Sequence, residues 1–358
     1  MKSIIQRIDM IEGKICILSC MRTILNYWRI SIPEELLLGL GAGLQFRFAQ
    51  AKEDINAVDV NCLDIILDKK HLFNFCSSYL GINIYENTYL SKSKITDSIK
   101  NELSSNRPVL LVVNSNYLNY WPDTIKMSIG HFIICYGWNE DEGYAMVMDT
   151  AIPSPSHPNF KGKISLDSLE KALDCSDLFL GKGYTMWSFI PTNKPTVALN
   201  SLITQGLNYS YESMTYKNTH SLDWNNLKIN YNCGLDGIQE LHDFLCSISD
   251  SGLTEDNIAI LGELFSLLSS YGGPYPSRLL YSLFLDWATK EVCLPSSLSK
   301  KYDDIANQWK ILSNLLLSVA QSKNISRLIR AIERLKNIYE LEKSALTTLK
   351  ETIVNEEN

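Results

Sequence analysis

No apolar run in this sequence approaches the ~18 residues that a membrane-spanning helix needs. The N-terminus lacks the basic, apolar and small-residue layout of a signal peptide. These two features predict a cytoplasmic protein with no membrane partner. Basic charge is short as well: 33 Lys and Arg stand against 40 Asp and Glu, a formal net charge of -7, which argues against general nucleic-acid binding. Cysteines are an odd nine, scattered as Cys16, Cys20, Cys62, Cys76, Cys135, Cys175, Cys233, Cys246 and Cys293. That is neither a disulfide framework nor a zinc spacing, and it suits buried thiols in a reducing compartment. Histidines number five, and His71, His157, His220 and His242 have no ligand spacing among them, so neither a metal nor a cofactor is expected.

What is there is an ordinary globular composition over 358 residues, 45% hydrophobic and 20% charged, long enough for two domains. The expected division is a first domain over 1–195, a polar bridge over 196–230 rich in Asn, Ser and Tyr, and a helical domain over 231–358. Helical spacing recurs from Cys16 to Trp28, and a second helix starts near Pro33. Further helices are expected over 60–80, 91–103 and 166–173, and strands over 81–85, 107–114 and 184–190. In the last third, helices are expected at about 235–249, 254–271, 275–290, 298–322 and 324–353.

The chain is organised around Gly130 to Asp149, an apolar run, a turn cluster and a second apolar run, which together read as a β-hairpin. With the turn centred on Glu140, Tyr136 faces Tyr144 and His131 faces Asp149. Opposed residues have Cβ atoms about 4.5–5.5 Å apart, so the imidazole and carboxylate can hydrogen-bond, which orients the ring and stabilises its protonated form. Cys16 supplies a nucleophile at the first turn of a helix, where unpaired N–H groups favour a thiolate. Cys20, one turn along, is less favoured by the helix end, and Cys135, on the strand face of His131, has no helix terminus to activate it. A helix-borne Cys, a central strand, then a hairpin with His and Asp is the chain order of papain-like cysteine enzymes. A lone Cys is more often a core thiol and a strand His more often structural; the ordered trio carries the reading.

Three other stretches stand out. The cluster Gly39-Leu40-Gly41-Ala42-Gly43-Leu44-Gln45-Phe46 follows no strand and lacks the G-x-G-x-x-G spacing. It reads instead as a tight turn that brings backbone close to a bound group, with Gly41, Gly43 and Gln45 as candidate substrate contacts. The loop Ser115–Ser128 carries Tyr117, Tyr120 and Trp121, and Tyr117 and Trp121 are candidate pocket walls unless they only roof the core. The last helix sets Ile325, Leu328, Ile332, Leu335 and Tyr339 on one side and Arg327, Arg330 and Arg334 on the other. Such a stripe is usually a solvated face; the alternative is docking of an acidic partner.

The Cys16-headed helix leading into Leu38-Gly39-Leu40-Gly41-Ala42-Gly43-Leu44-Gln45-Phe46 resembles the N-terminal domain of the BtrH-like proteins, named for the acyltransferase of butirosin biosynthesis. The Gly130-His131 to Asp149 segment is similar to that family's second block. The motifs around Tyr271-Gly272-Gly273, Arg278 and Trp309 are similar to the domain that often follows. The resemblance implies an α+β fold with a papain-like, C39-peptidase-like catalytic domain and a mostly α-helical C-terminal domain. It implies acyl transfer from an acyl-carrier-protein thioester, through a Cys16 acyl-enzyme, to a small amine in antibiotic biosynthesis. His131 is then the base, Asp149 its orienting partner, and the arginine stripe a carrier-protein dock. One departure is Ile15, where family members often have His before the nucleophile. Gln6 lies too far upstream for a confident oxyanion donor, so only the Cys16 N–H is assigned to that hole, with a second donor unknown. Two other readings compete: a cysteine peptidase or amidase with the same trio, and a non-catalytic binding protein, which would not demand all three residues. A homodimer is left open.

Overall fold

The structure is a computed structural model that describes residues 2–50, 58–61, 69–123, 129–154, 157–176, 183–192, 197–215, 219–224, 227–270 and 272–356. Cys62, residues 62–68 of the helix expected over 60–80, the end of the aromatic loop and the expected domain end at Pro195 lie outside them, while residues 60 and 61 of that expected helix belong to a strand, Val58–Asn61. The protein is mixed α/β with antiparallel sheets and a mostly helical C-terminal part. It divides into two compact units, 1–34 with 73–196 and 35–72 with 197–358. The segment 35–72, which carries the glycine cluster, thus groups with the helical unit and not with its sequence neighbours.

The first unit is built on a seven-stranded sheet. Its strands are β1 (Lys2–Ile4), β2 (Ile82–Tyr89), β3 (Val109–Asn114), β4 (Gly130–Asn139), β5 (Tyr144–Asp149), β6 (Phe160–Ser165) and β7 (Tyr184–Pro191). They lie antiparallel in the order β2-β7-β3-β4-β5-β6, with β1 also paired to β4. The apolar run of β3 is interior, between β7 and β4, with five of its six residues buried. Helix α1 (Cys16–Tyr27) packs on β4 and buries Ile17, Met21, Ile24 and Leu25, and α2 (Lys92–Ser104) buries Ile95, Ile99 and Leu103 at i, i+4 spacing. Helix α3 spans Leu166–Ala172.

The β4–β5 hairpin forms, but its register differs from the expected one. Asn139 pairs with Tyr144 and Gly137 with Met146 across a turn relieved by Gly143 at φ 71°. A β-bulge then leaves Tyr136, expected opposite Tyr144, as the extra residue, and Cys135 pairs with Val147. His131 and Asp149 are therefore not directly opposed; the Cα partner of Asp149 on its other side is Phe160 of β6. Bulges answer to packing on both neighbouring strands, which turn arithmetic on one hairpin does not include.

In the second unit the stretch expected as a polar bridge forms a helix, Leu199–Thr215, and two strands, Thr219–Trp224 and Leu227–Cys233. These strands join Arg47–Gln50 and Val58–Asn61 in a four-stranded antiparallel sheet. The helices Gly234–Ser251, Glu255–Ser269, Pro274–Ala288, Ser296–Ser322 and Ile325–Glu356 follow. Local signals set their ends: Thr254 Oγ1 accepts the Asn257 N–H at 3.2 Å, and Pro274 takes the first turn of its helix. The buried stripe of the last helix begins with Leu328, Ala331, Leu335, Ile338 and Glu342 and continues to Ile353; Ile325 is exposed and Ile332 and Tyr339 are half-buried, against expectation. Glu342 is fully buried because Arg278 meets it: Arg278 Nε donates to Glu342 Oε1 at 2.7 Å, Trp309 Nε1 donates to the same oxygen at 3.0 Å, and Arg278 Nη1 reaches the Gln45 carbonyl at 2.7 Å. Among the described residues no helix is long and apolar enough to cross a membrane.

Candidate active site

The site lies in the first unit, where α1 meets the ends of β4 and β5. Cys16 is the first residue of α1 and is half-buried, whereas Cys20, one turn on, is fully buried. As the first residue of a helix, Cys16 has an N–H with no intrahelical carbonyl to bond. His131 and Asp149 are 1% and 0% exposed. Their bond is short: His131 Nε2–H donates to Asp149 Oδ1 at 2.9 Å. The second carboxylate oxygen accepts Trp121 Nε1–H at 2.8 Å and the Tyr120 hydroxyl at 3.3 Å. The Trp121 ring stands edge-on to His131 at 4.8 Å between centroids, and Tyr120 stacks on Phe160 at 4.0 Å.

With Nε2 committed to Asp149, the other ring nitrogen of His131 is the one available to a thiol. Nδ1 is buried and has no hydrogen-bond partner at bonding distance. Cys16 is nonetheless close enough to act on the ring. Burial alone would lower the imidazole's pKa, but the charges of Asp149 and Cys16 and the hydrogen bond to Asp149 raise it to about 10. The ring is then protonated at neutral pH and stands as a cation beside the Cys16 side chain.

The rival thiols are held as thiols. Burial pushes Cys20 well up, and the charges of Cys16 and Asp149 add to this against the bond to Thr150. Cys135 and Cys175 are each raised by burial to about 12. Cys20 has a packing role, with Sγ 3.4 Å from the Phe132 carbonyl and 3.3 Å from Thr150 Oγ1.

The structure brings together Cys16, His131, Asp149 and Trp121, and places the remaining candidates elsewhere. Trp121, 2% exposed, roofs the His–Asp pair and does not line an open pocket. Tyr117, 44% exposed, lines a cavity of about 310 Å³ with Asn114, Asp174, Tyr184 and the Lys92–Glu170 ion pair; none of Cys16, His131 and Asp149 lines it. The glycine cluster, in the second unit, forms a π-helical turn, Leu37–Ala42. What approaches its backbone there is the protein itself. A Cβ on Gly39 would strike the Phe284 ring, one on Gly43 (φ 72°) would strike Tyr209, and one on Gly206 would strike the Gly39 carbonyl. Gly41 is buried in the same turn, and Gln45 Nε2 donates to the Ala42 carbonyl and to Tyr209 Oη, each at 3.0 Å. Arg327 and Arg334 reach Ser318 and Gln308 on the preceding helix, and Arg330 is exposed.

Sequence reasoning missed Tyr120 as a donor to Asp149, and it missed Thr150 and Glu34. Thr150 Oγ1 lies 2.6 Å from Ser19 Oγ, and its carbonyl accepts the Gly13 N–H at 3.1 Å, so the residue after Asp149 ties the strand end to α1. Among the described residues no three His, Cys, Asp or Glu side chains cluster so as to hold a metal ion.

A thiol at a helix start, an imidazole and a carboxylate within one mixed α/β unit define a candidate cysteine-dependent site. The protein carries a BtrH-like domain: residues 16–150 match the family described as butirosin biosynthesis protein H, N-terminal, a span that holds Cys16, His131 and Asp149. Comparison of the whole chain with curated proteins finds no match.

Proposed function

We propose that this protein is an amide-forming acyltransferase of butirosin-type biosynthesis, with a papain-like catalytic frame, that moves an acyl group from a carrier-protein thioester to a small amine. The observation that carries the chemistry is the His131 ring, bonded through Nε2 to Asp149 and left with a buried, unpartnered Nδ1 near Cys16. The match of residues 16–150 to the butirosin family supports the biosynthetic setting.

In the first half-reaction the Cys16 thiolate attacks the thioester carbonyl. The Cys16 N–H serves as one oxyanion donor, the carbon–sulfur bond to the carrier breaks, and His131 gives its proton to the departing carrier thiolate. In the second, the amine attacks the acyl-Cys16, its proton passes to His131, and the Cys16 thiolate leaves. Carrier thioester plus amine becomes amide plus carrier thiol. Trp121 covers the His–Asp pair and keeps water from Asp149. In an acidic chain, Arg330 with Arg327 offers a basic surface to an acidic carrier protein.

The test begins with iodoacetamide alkylation against pH, read by peptide mass spectrometry on wild type and His131→Ala. Selective labelling of Cys16 that depends on His131 is expected. Wild type, but not Cys16→Ala, then forms amide from an acyl thioester and an amine. Equal labelling of all thiols would sink the reading, and peptide cleavage without amide formation would replace it with a peptidase.

A further inference from the structure

Glu34 has no place in the trio, yet it is 4% exposed and both its oxygens are committed to the backbone just before Cys16. Oε1 accepts the Ile15 N–H at 2.8 Å and the Lys14 N–H at 3.0 Å, and Oε2 also lies 3.0 Å from the Lys14 nitrogen. Gly13 makes the room: a Cβ there would sit 2.8 Å from Oε2 and would strike the Ser19 side chain. Arg22 is paired with it, with Nη1 4.0 Å from Oε2 and Nε 3.2 Å from the Ile32 carbonyl.

A helix start presents unpaired N–H groups that together form an anion site. Ile15, the cap residue of α1, makes no side-chain cap of its own. Glu34 instead holds the two peptides that lead into the helix, through the N–H groups of Lys14 and Ile15. Two consequences follow for Cys16. The amides of residues 14 and 15 are taken, so the Cys16 N–H is the next in line for a substrate oxygen. The helix's positive end is also partly cancelled by an internal carboxylate before a thiolate can use it.

We infer that Glu34 is a positioning residue for the chemistry at Cys16: it clamps the Lys14 and Ile15 peptides so that the Cys16 N–H faces the oxyanion, and it leaves thiolate stabilisation to His131. This rests on Cys16 being the nucleophile of the proposed acyl transfer. Burial raises the Glu34 carboxyl's pKa, while the bonds from Lys14 and Ile15 and the charges of Arg22 and Lys14 pull it back down. A carboxylate that burial opposes is held there by the amides it binds.

The role makes two readouts move in opposite directions. In Glu34→Gln the midpoint of the alkylation–pH curve of Cys16 should fall by about half a unit, because a nearby negative charge is lost. Single-turnover acylation of Cys16 by an acyl-N-acetylcysteamine thioester should slow about tenfold or more, because the oxyanion donor is no longer held. A residue needed only for folding would lower labelling, acylation and melting temperature together, and that result would overturn the inference, as would no change in either readout. Arg22→Met keeps Glu34 and removes its cation, so the midpoint should move up; if Glu34→Gln does not fold, a midpoint that stays put in Arg22→Met overturns the inference. Wild type separates the two levels. Unselective labelling of wild-type Cys16 sinks the proposed function and this inference together, whereas selective wild-type labelling with unresponsive variants sinks the inference alone.

Discussion

His131 and Asp149 are bonded at 2.9 Å without being cross-strand partners. Continued one step beyond Ile134–Met148, the β4–β5 register sets Asp149 against Ile133, so the two residues are diagonal neighbours on one face. The direct opposition expected from turn arithmetic is off by two. An even displacement keeps side chains on the same face, whereas an odd one would have put the imidazole and carboxylate on opposite sides of the sheet.

Alkaline pH should weaken the fold through His131. Its folded pKa is raised from 6.5 to about 10, so folding favours the protonated ring. That stabilisation is fully present below about pH 6.5 and is lost as pH rises through about 10. Melting temperatures of wild type should therefore fall between pH 7 and 10 more steeply than those of His131→Gln, which has no such proton to lose. Parallel curves would remove the electrostatic account of the His–Asp pair.

Trp121→Phe tests the roof. The change keeps an aromatic ring beside His131 and deletes one donor to a buried carboxylate, a bond of the kind worth about 1.5–3 kcal/mol. Acyl transfer should drop about tenfold or more, with hydrolysis gaining on amide formation as water reaches Asp149. An unchanged ratio of amide to acid in product analysis would remove water exclusion from the role of Trp121.

The helical unit has its own weak point in Arg278 and Glu342. Arg278→Met leaves the Glu342 carboxylate buried without its cation, which costs about 3–5 kcal/mol. Urea titration should show that loss, and should show most of it restored in Arg278→Met with Glu342→Leu, where both charges leave together. A single variant as stable as wild type would show that the pair is not the core's electrostatic centre.

Arg330→Glu should raise KM for a carrier-bound thioester several-fold and leave KM for an acyl-N-acetylcysteamine thioester unchanged, because only the former presents an acidic protein surface. Equal effects on both donors would remove the arginine stripe from carrier recognition.

Much of this molecule is legible in its sequence, for stated physical reasons. Val109–Asn114 and the C-terminal helices announce themselves by composition and periodicity, and each helix was expected within a few residues of its observed bounds. The meeting of His131 with Asp149 could be expected from an approximate hairpin. What failed depended on distant partners. The 199–233 stretch hides a helix and two strands because its polar composition carries no strong period until the strands Arg47–Gln50 and Val58–Asn61 complete the sheet. The glycine cluster suggested a ligand because sequence shows that backbone is approached but not by what; here it is Phe284, Tyr209 and Gly206. Glu34 and Thr150 act across 19 and 131 residues of chain, beyond any local pattern.

The stretch from Ile8 to Ile15 has neither helix nor strand, yet little of its backbone is loose. Lys161 holds the Ile8 carbonyl at 2.7 Å, Thr23 Oγ1 bonds the Ile11 N–H at 3.0 Å, Thr150 takes Gly13, and Glu34 takes Lys14 and Ile15. A ribbon drawing shows coil here, but deuterium should find slow amides at Ile11 and from Gly13 to Ile15, exchanging on the schedule of the sheet. For anyone grafting a tag, a cleavage site or a fluorophore near this end of the chain, that makes residues 8–15 a poor place to cut and part of the machinery.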